Sequence, residues 1–287
     1  LGEMGYSLRA VGHLQDSLRM TKDALEAQIA LGNDLKASWQ AANLAALLDL
    51  LGDLPQARTA AEQSLQLVLA GGPPEEQVNA RAILAMILHQ SGSLDEAEDI
   101  FLTAEEWSRA RRSKHPFLYG YRGFGYCNLL LELGRWQQVE QRAQQTISIA
   151  LDKGWLRDTA LDYISLGRAY LLGAREAGAG HLALAQEYLG KGLEGLRRAG
   201  QLDQLPHGLL ARAEVGCVLG DLAHSQKDLQ EAFRLSTRCG MRLVEVDAHL
   251  GFARLHLAAG DRDQARASLD RATQMVADLG YHRRDRD

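Results

Sequence analysis

The chain has 287 residues with 32 Lys+Arg against 37 Asp+Glu, a net charge of −5 and a pI near 6.0. That balance sets aside a nucleic-acid binder, which normally carries a basic surplus. No apolar run reaches the ~18–20 residues of a membrane span, and the first residues do not read as a basic-then-apolar leader.

Hydrophobic residues make up 46 %, yet aromatics only 6 %, with 5 prolines. Ala, Leu, Gln, Glu and Arg dominate, which is the palette of helix formers rather than strand formers. Cys127, Cys217 and Cys239 are far apart with no C-x-x-C, so neither a disulfide framework nor a zinc site is expected. They read as small buried hydrophobes in a cytoplasmic protein.

The chain opens at Leu1 without a methionine and already in a helical pattern, which reads as a piece of a longer protein. From there a glycine followed two residues later by a bulky residue recurs. It appears at Gly12, Gly52, Gly92, Gly134, Gly180, Gly220 and Gly260, spaced by 40, 40, 42, 46, 40 and 40 residues. A second glycine follows most of these after 20 residues, at Gly32, Gly72, Gly154, Gly200, Gly240 and Gly280. Each unit is therefore two helices of roughly 16–18 residues separated by glycine punctuation. Glycine tolerates the left-handed conformation that ends a helix, and the Asp or Ser after it caps the next one.

The units run at about 1–32, 33–72, 73–114, 115–154, 155–200, 201–240 and 241–280, with a charged tail at 281–287. Small residues recur in phase. Five positions after the turn glycine stand Ser17, Ala57, Ala97, Val139, Ala185, Ser225 and Ala265. Twelve after it stand Ala24, Ser64, Ala104, Thr146, Gly192, Ala232 and Ala272. Such positions mark helices that cross too closely for a large side chain.

The fifth unit contains Leu166-Gly167-Arg168-Ala169-Tyr170. This resembles the L-G-x-x-Y signature of the tetratricopeptide repeat. The expected fold is an all-α, right-handed superhelical solenoid of about seven antiparallel helix pairs, forming a single domain. A 40-residue period also overlaps the HEAT and armadillo range. The short Gly-Asp turns and the lack of a repeating proline favour the tetratricopeptide pattern. The same unit carries six extra residues around Gly173–Gly180, expected to form a mobile Gly/Ala-rich loop.

The whole chain also resembles the long-period repeat arrays at the C-terminal end of bacterial STAND NTPases of NACHT or NB-ARC type. The residues that carry this are Asn43-Leu44-Ala45, Leu88-His89-Gln90-Ser91-Gly92, the run Tyr119 to Cys127, the run Leu205 to Ala213, Gly240-Met241-Arg242-Leu243, and the run Gly280 to Asp285. The resemblance implies a sensor that holds an NTPase inactive or recognises a trigger. No G-x-x-x-x-G-K-[ST] loop is present, so a nucleotide site would lie outside this chain.

Nor do H-E-x-x-H or G-x-S-x-G motifs occur, and an enzyme or a bound cofactor is not expected. His249 and His256 share a helix face without a third metal ligand, and read as packed or surface residues. Function is then expected on the inner face lined by the first helix of each pair. Six positions before the turn glycine stand Tyr6, Ala46, Met86, Asn128, Glu214 and Arg254, with Arg168 placed by its motif. Three before it stand Arg9, Asp49, His89, Leu131, Cys217 and Leu257. A third inward position gives Trp39, Asn79, Tyr121, Leu161, His207 and Asp247, and Phe124 adds an aromatic beside it.

From these the candidate groove is Trp39, His89, Tyr121, Phe124, Asn128, Arg168, His207, Glu214, Asp247 and Arg254. Aromatics and arginine are the usual anchors of a protein interface. The expected partner is a protein or peptide segment, including the chain's own NTPase domain, with neither nucleic acid nor membrane. A small effector in the same groove, or a self-assembly surface, is the alternative. A basic cluster of Arg109, Arg111, Arg112, Lys114 and His115 reads as a solvated face.

Overall fold

The computed structural model describes residues 2–69, 71–111 and 117–285. Among them run fourteen α-helices and no strand. They are α1 (Gly2–Ala10), α2 (Leu14–Ala30), α3 (Asp34–Leu51), α4 (Leu54–Leu69), α5 (Pro74–Gln90), α6 (Leu94–Arg111) and α7 (Gly120–Glu132). The others are α8 (Trp136–Asp152), α9 (Leu156–Ala177), α10 (Ala179–Ala199), α11 (Leu205–Leu219), α12 (Leu222–Cys239), α13 (Arg242–Ala258) and α14 (Arg262–Leu279), followed by a 3-10 turn at His282–Arg284. The chain divides into two compact units: unit 1 is Leu1–Leu118 with Leu279–Arg286, and unit 2 is Tyr119–Asp278.

One turn shows how the punctuation works. At Leu51-Gly52-Asp53-Leu54, Gly52 adopts φ 81°, a left-handed conformation that lets its N–H reach the Asp49 carbonyl. Asp53 N–H then bonds the Leu48 carbonyl at 2.9 Å, so the last carbonyls of α3 are satisfied. The Asp53 carboxylate accepts from Gln56 N–H at 3.2 Å and starts α4.

Within each unit the helices stack as antiparallel pairs. In unit 1, α2 packs on both α1 and α3, and α4 on both α3 and α5. In unit 2, α8 lies on α7 and α9, α10 on α9 and α11, and α12 on α11 and α13. The first helices also touch in sequence, α1–α3–α5 and α7–α9–α11–α13, and so form one continuous face in each unit.

The phased small residues are where these layers meet. Ser17, Ala57, Ala97, Val139, Ala185, Ser225 and Ala265 are all buried, as are Ala24, Ser64, Ala104, Thr146, Gly192, Ala232 and Ala272. Gly167, in the L-G-x-x-Y stretch, is the tightest kind of crossing. A Cβ there would lie 2.5 Å from Leu189 Cγ and 3.1 Å from the Ala185 carbonyl oxygen. Only glycine lets α9 approach α10 this closely.

The extra residues of the fifth unit do not make a loop. α9 runs on to Ala177 and α10 begins at Ala179, with lengths of 22 and 21 residues and a single Gly178 between them. Ala, Arg and Glu favour helix, and Gly173 at its start is packed, since a Cβ there would sit 2.9 Å from the Trp136 ring, while residues 175–180 are exposed. Gly178, at φ 78°, takes the turn that the sequence pattern assigns to Gly180, which lies inside α10.

Candidate binding face

Unit 2 brings most of the candidate residues onto its first-helix face. The floor is apolar: Phe124, Leu161 and Leu209 are buried in one core cluster, with Tyr121 packed against it. Phe124 is only 2 % exposed, so its ring supports the face from below rather than meeting solvent. The His207 ring lies over it with centroids 6.1 Å apart and a 59° tilt.

The same four first helices carry polar groups. Arg168 of α9 donates through Nη1 to Asn128 Oδ1 of α7, forty residues earlier and so at the same register of the preceding pair. That bond steers a half-buried guanidinium along the face. Next along the same register, Glu214 of α11 and Arg254 of α13 are both exposed, with half-buried Cys217 between them. Burial pushes the Cys217 thiol up, Glu214 adds to that, and Arg254 opposes it. Asp247 of α13 is half-buried.

Unit 1 carries the remaining two candidates. Trp39 of α3 is 39 % exposed, whereas His89 of α5 is buried. Unit 1 also holds a buried acid that the candidate set leaves out. Asp49 of α3 is 6 % exposed, and its Oδ1 has no hydrogen-bond partner. Burial pushes its carboxyl up to about 7, against the pull of Arg9, Gln90 and Arg283. Arg9 and Asp49 share a register with His89, three before the turn glycine, so their proximity was legible in the repeat. The arrival of Arg283 was not.

A second buried carboxyl escaped sequence reasoning altogether. Asp162 of α9 is 4 % exposed. Burial pushes it up to about 8, with the Thr146 hydroxyl of α8 opposing and Asp158 reinforcing. Its Oδ2 has no hydrogen-bond partner. The available signal was an acid inside the apolar run Leu161-Asp162-Tyr163-Ile164, but nothing in the spacing says which side faces α8.

The histidine pair is accounted for by ring packing. His249 meets Phe233 edge-on at 5.2 Å and His256 stacks on Phe252 at 6.4 Å. Of the basic cluster, Arg109 is exposed on α6, while Arg112, Lys114, His115 and the Arg111 side chain lie outside the described residues. No described helix is long and apolar enough to cross a membrane.

Neither a protein-family model nor a curated protein sequence matches the chain. Solved structures do. The crystal structure of a Rap protein complexed with competence and sporulation factor aligns over 96 % of this chain and 76 % of that one, with 14 % identity and a TM-score of 0.67. The fold is an all-α solenoid of tetratricopeptide-like helix pairs. PilF of Pseudomonas aeruginosa aligns over 86 % of this chain and 95 % of its own at 19 % identity and a TM-score of 0.44. BtubC of P. vanneervenii aligns over 93 % and 92 % at 14 % identity and a TM-score of 0.36.

Proposed function

We propose that this chain is a protein- or peptide-binding module of a bacterial, cytoplasmic signalling NTPase, acting as its sensor or scaffold and working by recognition rather than catalysis. The observation that carries the binding reading is the unit 2 face. A buried apolar floor supports a row of polar and ring-bearing side chains, Asn128, Arg168, His207, Glu214 and Arg254, of both charge signs. Apolar ground with a few oriented polar groups is the anatomy of a recognition surface. The Rap protein, whose fold the chain shares, is complexed with competence and sporulation factor in its crystal structure, which supports the binding reading.

The NTPase context rests on the sequence resemblance alone. Its test is the sequence upstream of Leu1, where a G-x-x-x-x-G-K-[ST] loop is expected. The binding reading is tested separately, by capturing partners from the source cell's lysate on the immobilised chain and identifying them by cross-linking. Arg168→Glu should lower capture about tenfold, the size of one interface anchor of ~1.4 kcal/mol. Undiminished capture by a folded Arg168→Glu variant removes this face from the site. A melting shift of several degrees with a small metabolite, and none with any protein partner, moves the assignment to a small effector.

A further inference from the structure

The 281–285 segment, a charged stretch in the sequence, is docked. Tyr281 is 1 % exposed, and the 3-10 turn at His282–Arg284 packs on α5 within unit 1. The Arg284 guanidinium stands 5.8 Å from the Tyr281 ring centroid. Arg283 donates through Nη1 to Gln90 Oε1 at 3.0 Å, a bond between residues 193 apart in the chain. Gly92 ends α5 with a bare Cα. A Cβ there would lie 2.9 Å from His282 Cβ and 3.3 Å from its carbonyl oxygen, so a side chain at this position would lift the segment off.

We propose that the Asp49–Gln90–Gly92 corner of unit 1 is a binding site for an arginine-bearing peptide, and that residues 281–285 are its resident, displaceable occupant. The site is distinct from the unit 2 face and does not depend on it. A buried aromatic beside arginine is the chemistry that dominates peptide interfaces. The fit of the resident is incomplete: Arg283 bonds Gln90, and Arg9, Gln90 and Arg283 all act on the nearby buried Asp49, yet its Oδ1 has no hydrogen-bond partner. An orphaned buried acceptor is unfavourable until it is paired. A guanidinium has donors enough to reach both groups, so an outside arginine that does so binds better than the resident. What protects the resident is that it belongs to the same chain, so its return to the site is intramolecular.

The probe is a fluorescein-labelled peptide of residues 279–285, added to the full chain and read by anisotropy. It should bind the native chain weakly, because the tethered copy competes. Arg283→Ala weakens the resident and leaves the site intact, so it should bind the peptide at least ten times more tightly. Adding Gln90→Ala and Asp49→Asn to Arg283→Ala should abolish the gain. Tyr281→Ala/Arg283→Ala serves as a second, more strongly freed chain. If both freed chains keep their helical spectrum and bind the peptide no better than the native protein does, the proposal is overturned. It is equally overturned if the peptide binds them tightly and the Gln90→Ala and Asp49→Asn changes make no difference.

Discussion

The two units use one repeat in different ways. Six residues before the turn glycine, unit 1 presents Tyr6, Ala46 and Met86, while unit 2 presents Asn128, Glu214 and Arg254. Three residues before it the character reverses: Arg9, Asp49 and His89 in unit 1, Leu131, Cys217 and Leu257 in unit 2. The polar chemistry has moved by almost one helical turn along the first-helix face. In unit 1 the shifted residues are buried, and a segment from far along the chain is seated beside them. In unit 2 the polar register ends in exposed charges over an apolar floor. A helical repeat thus constrains the small residues at the crossings far more tightly than the side chains that face outward from them.

The largest expected effect comes from attacking the scaffold beneath the unit 2 face. Gly167→Val should destabilise by roughly 1–3 kcal/mol, because the new side chain meets Leu189 and the Ala185 carbonyl at this crossing. Circular dichroism melting checks it. If the two units unfold in separate transitions, only one of them should shift. A melt indistinguishable from the native one would mean that α9 and α10 do not pack as described.

Next comes Asp162. Its folded pKa of about 8 lies above the ~3.9 of an unfolded Asp. Between those values the folded chain holds a proton that the unfolded chain has released, so stability falls as pH rises from ~4 to ~8 and then levels off. The fall is on the order of a few kcal/mol for this group. Asp162→Asn should flatten that dependence in denaturant titrations, and at pH 8 it should be the more stable of the two chains. An unchanged pH profile would show that Asp162 is ionised in the folded state. Asp49, at about 7 and with Arg9 and Arg283 near, should give the same sign over a narrower window. Asp49→Asn therefore sharpens the comparison between the units, since it should change the profile less than Asp162→Asn.

The smallest effect tests the punctuation itself. Asp53→Ala removes the carboxylate that accepts from Gln56 N–H, and should lower stability by about 1 kcal/mol in denaturant unfolding. A null result would assign the start of α4 to packing alone.

The helix pairs and their crossings were legible because their signals are local. A turn glycine, its following cap and a small residue five positions on all act within a turn or two of helix. The same reasoning failed at Gly173–Gly180, where glycine content suggested a loop. Packing against Trp136 and the helix preference of Ala, Arg and Glu extended α9 and α10 instead. Phe124 was legible as an inward aromatic but not as a buried one, since its depth depends on α9 and α11 closing over it.

By itself the sequence determined that the fold is all-α, where most helices start and stop outside the Gly173–Gly180 stretch, and which small residues let neighbours approach. Those outcomes follow from backbone conformation and side-chain size over a few residues, which spacing records. Only the tertiary structure decided that the chain divides into two units, that Asp162 and Asp49 are buried deeply enough to hold protons near neutral pH, and that Arg283 finds Gln90. Burial and contacts between residues 193 apart depend on how whole layers stack, and they leave no periodic trace along the chain.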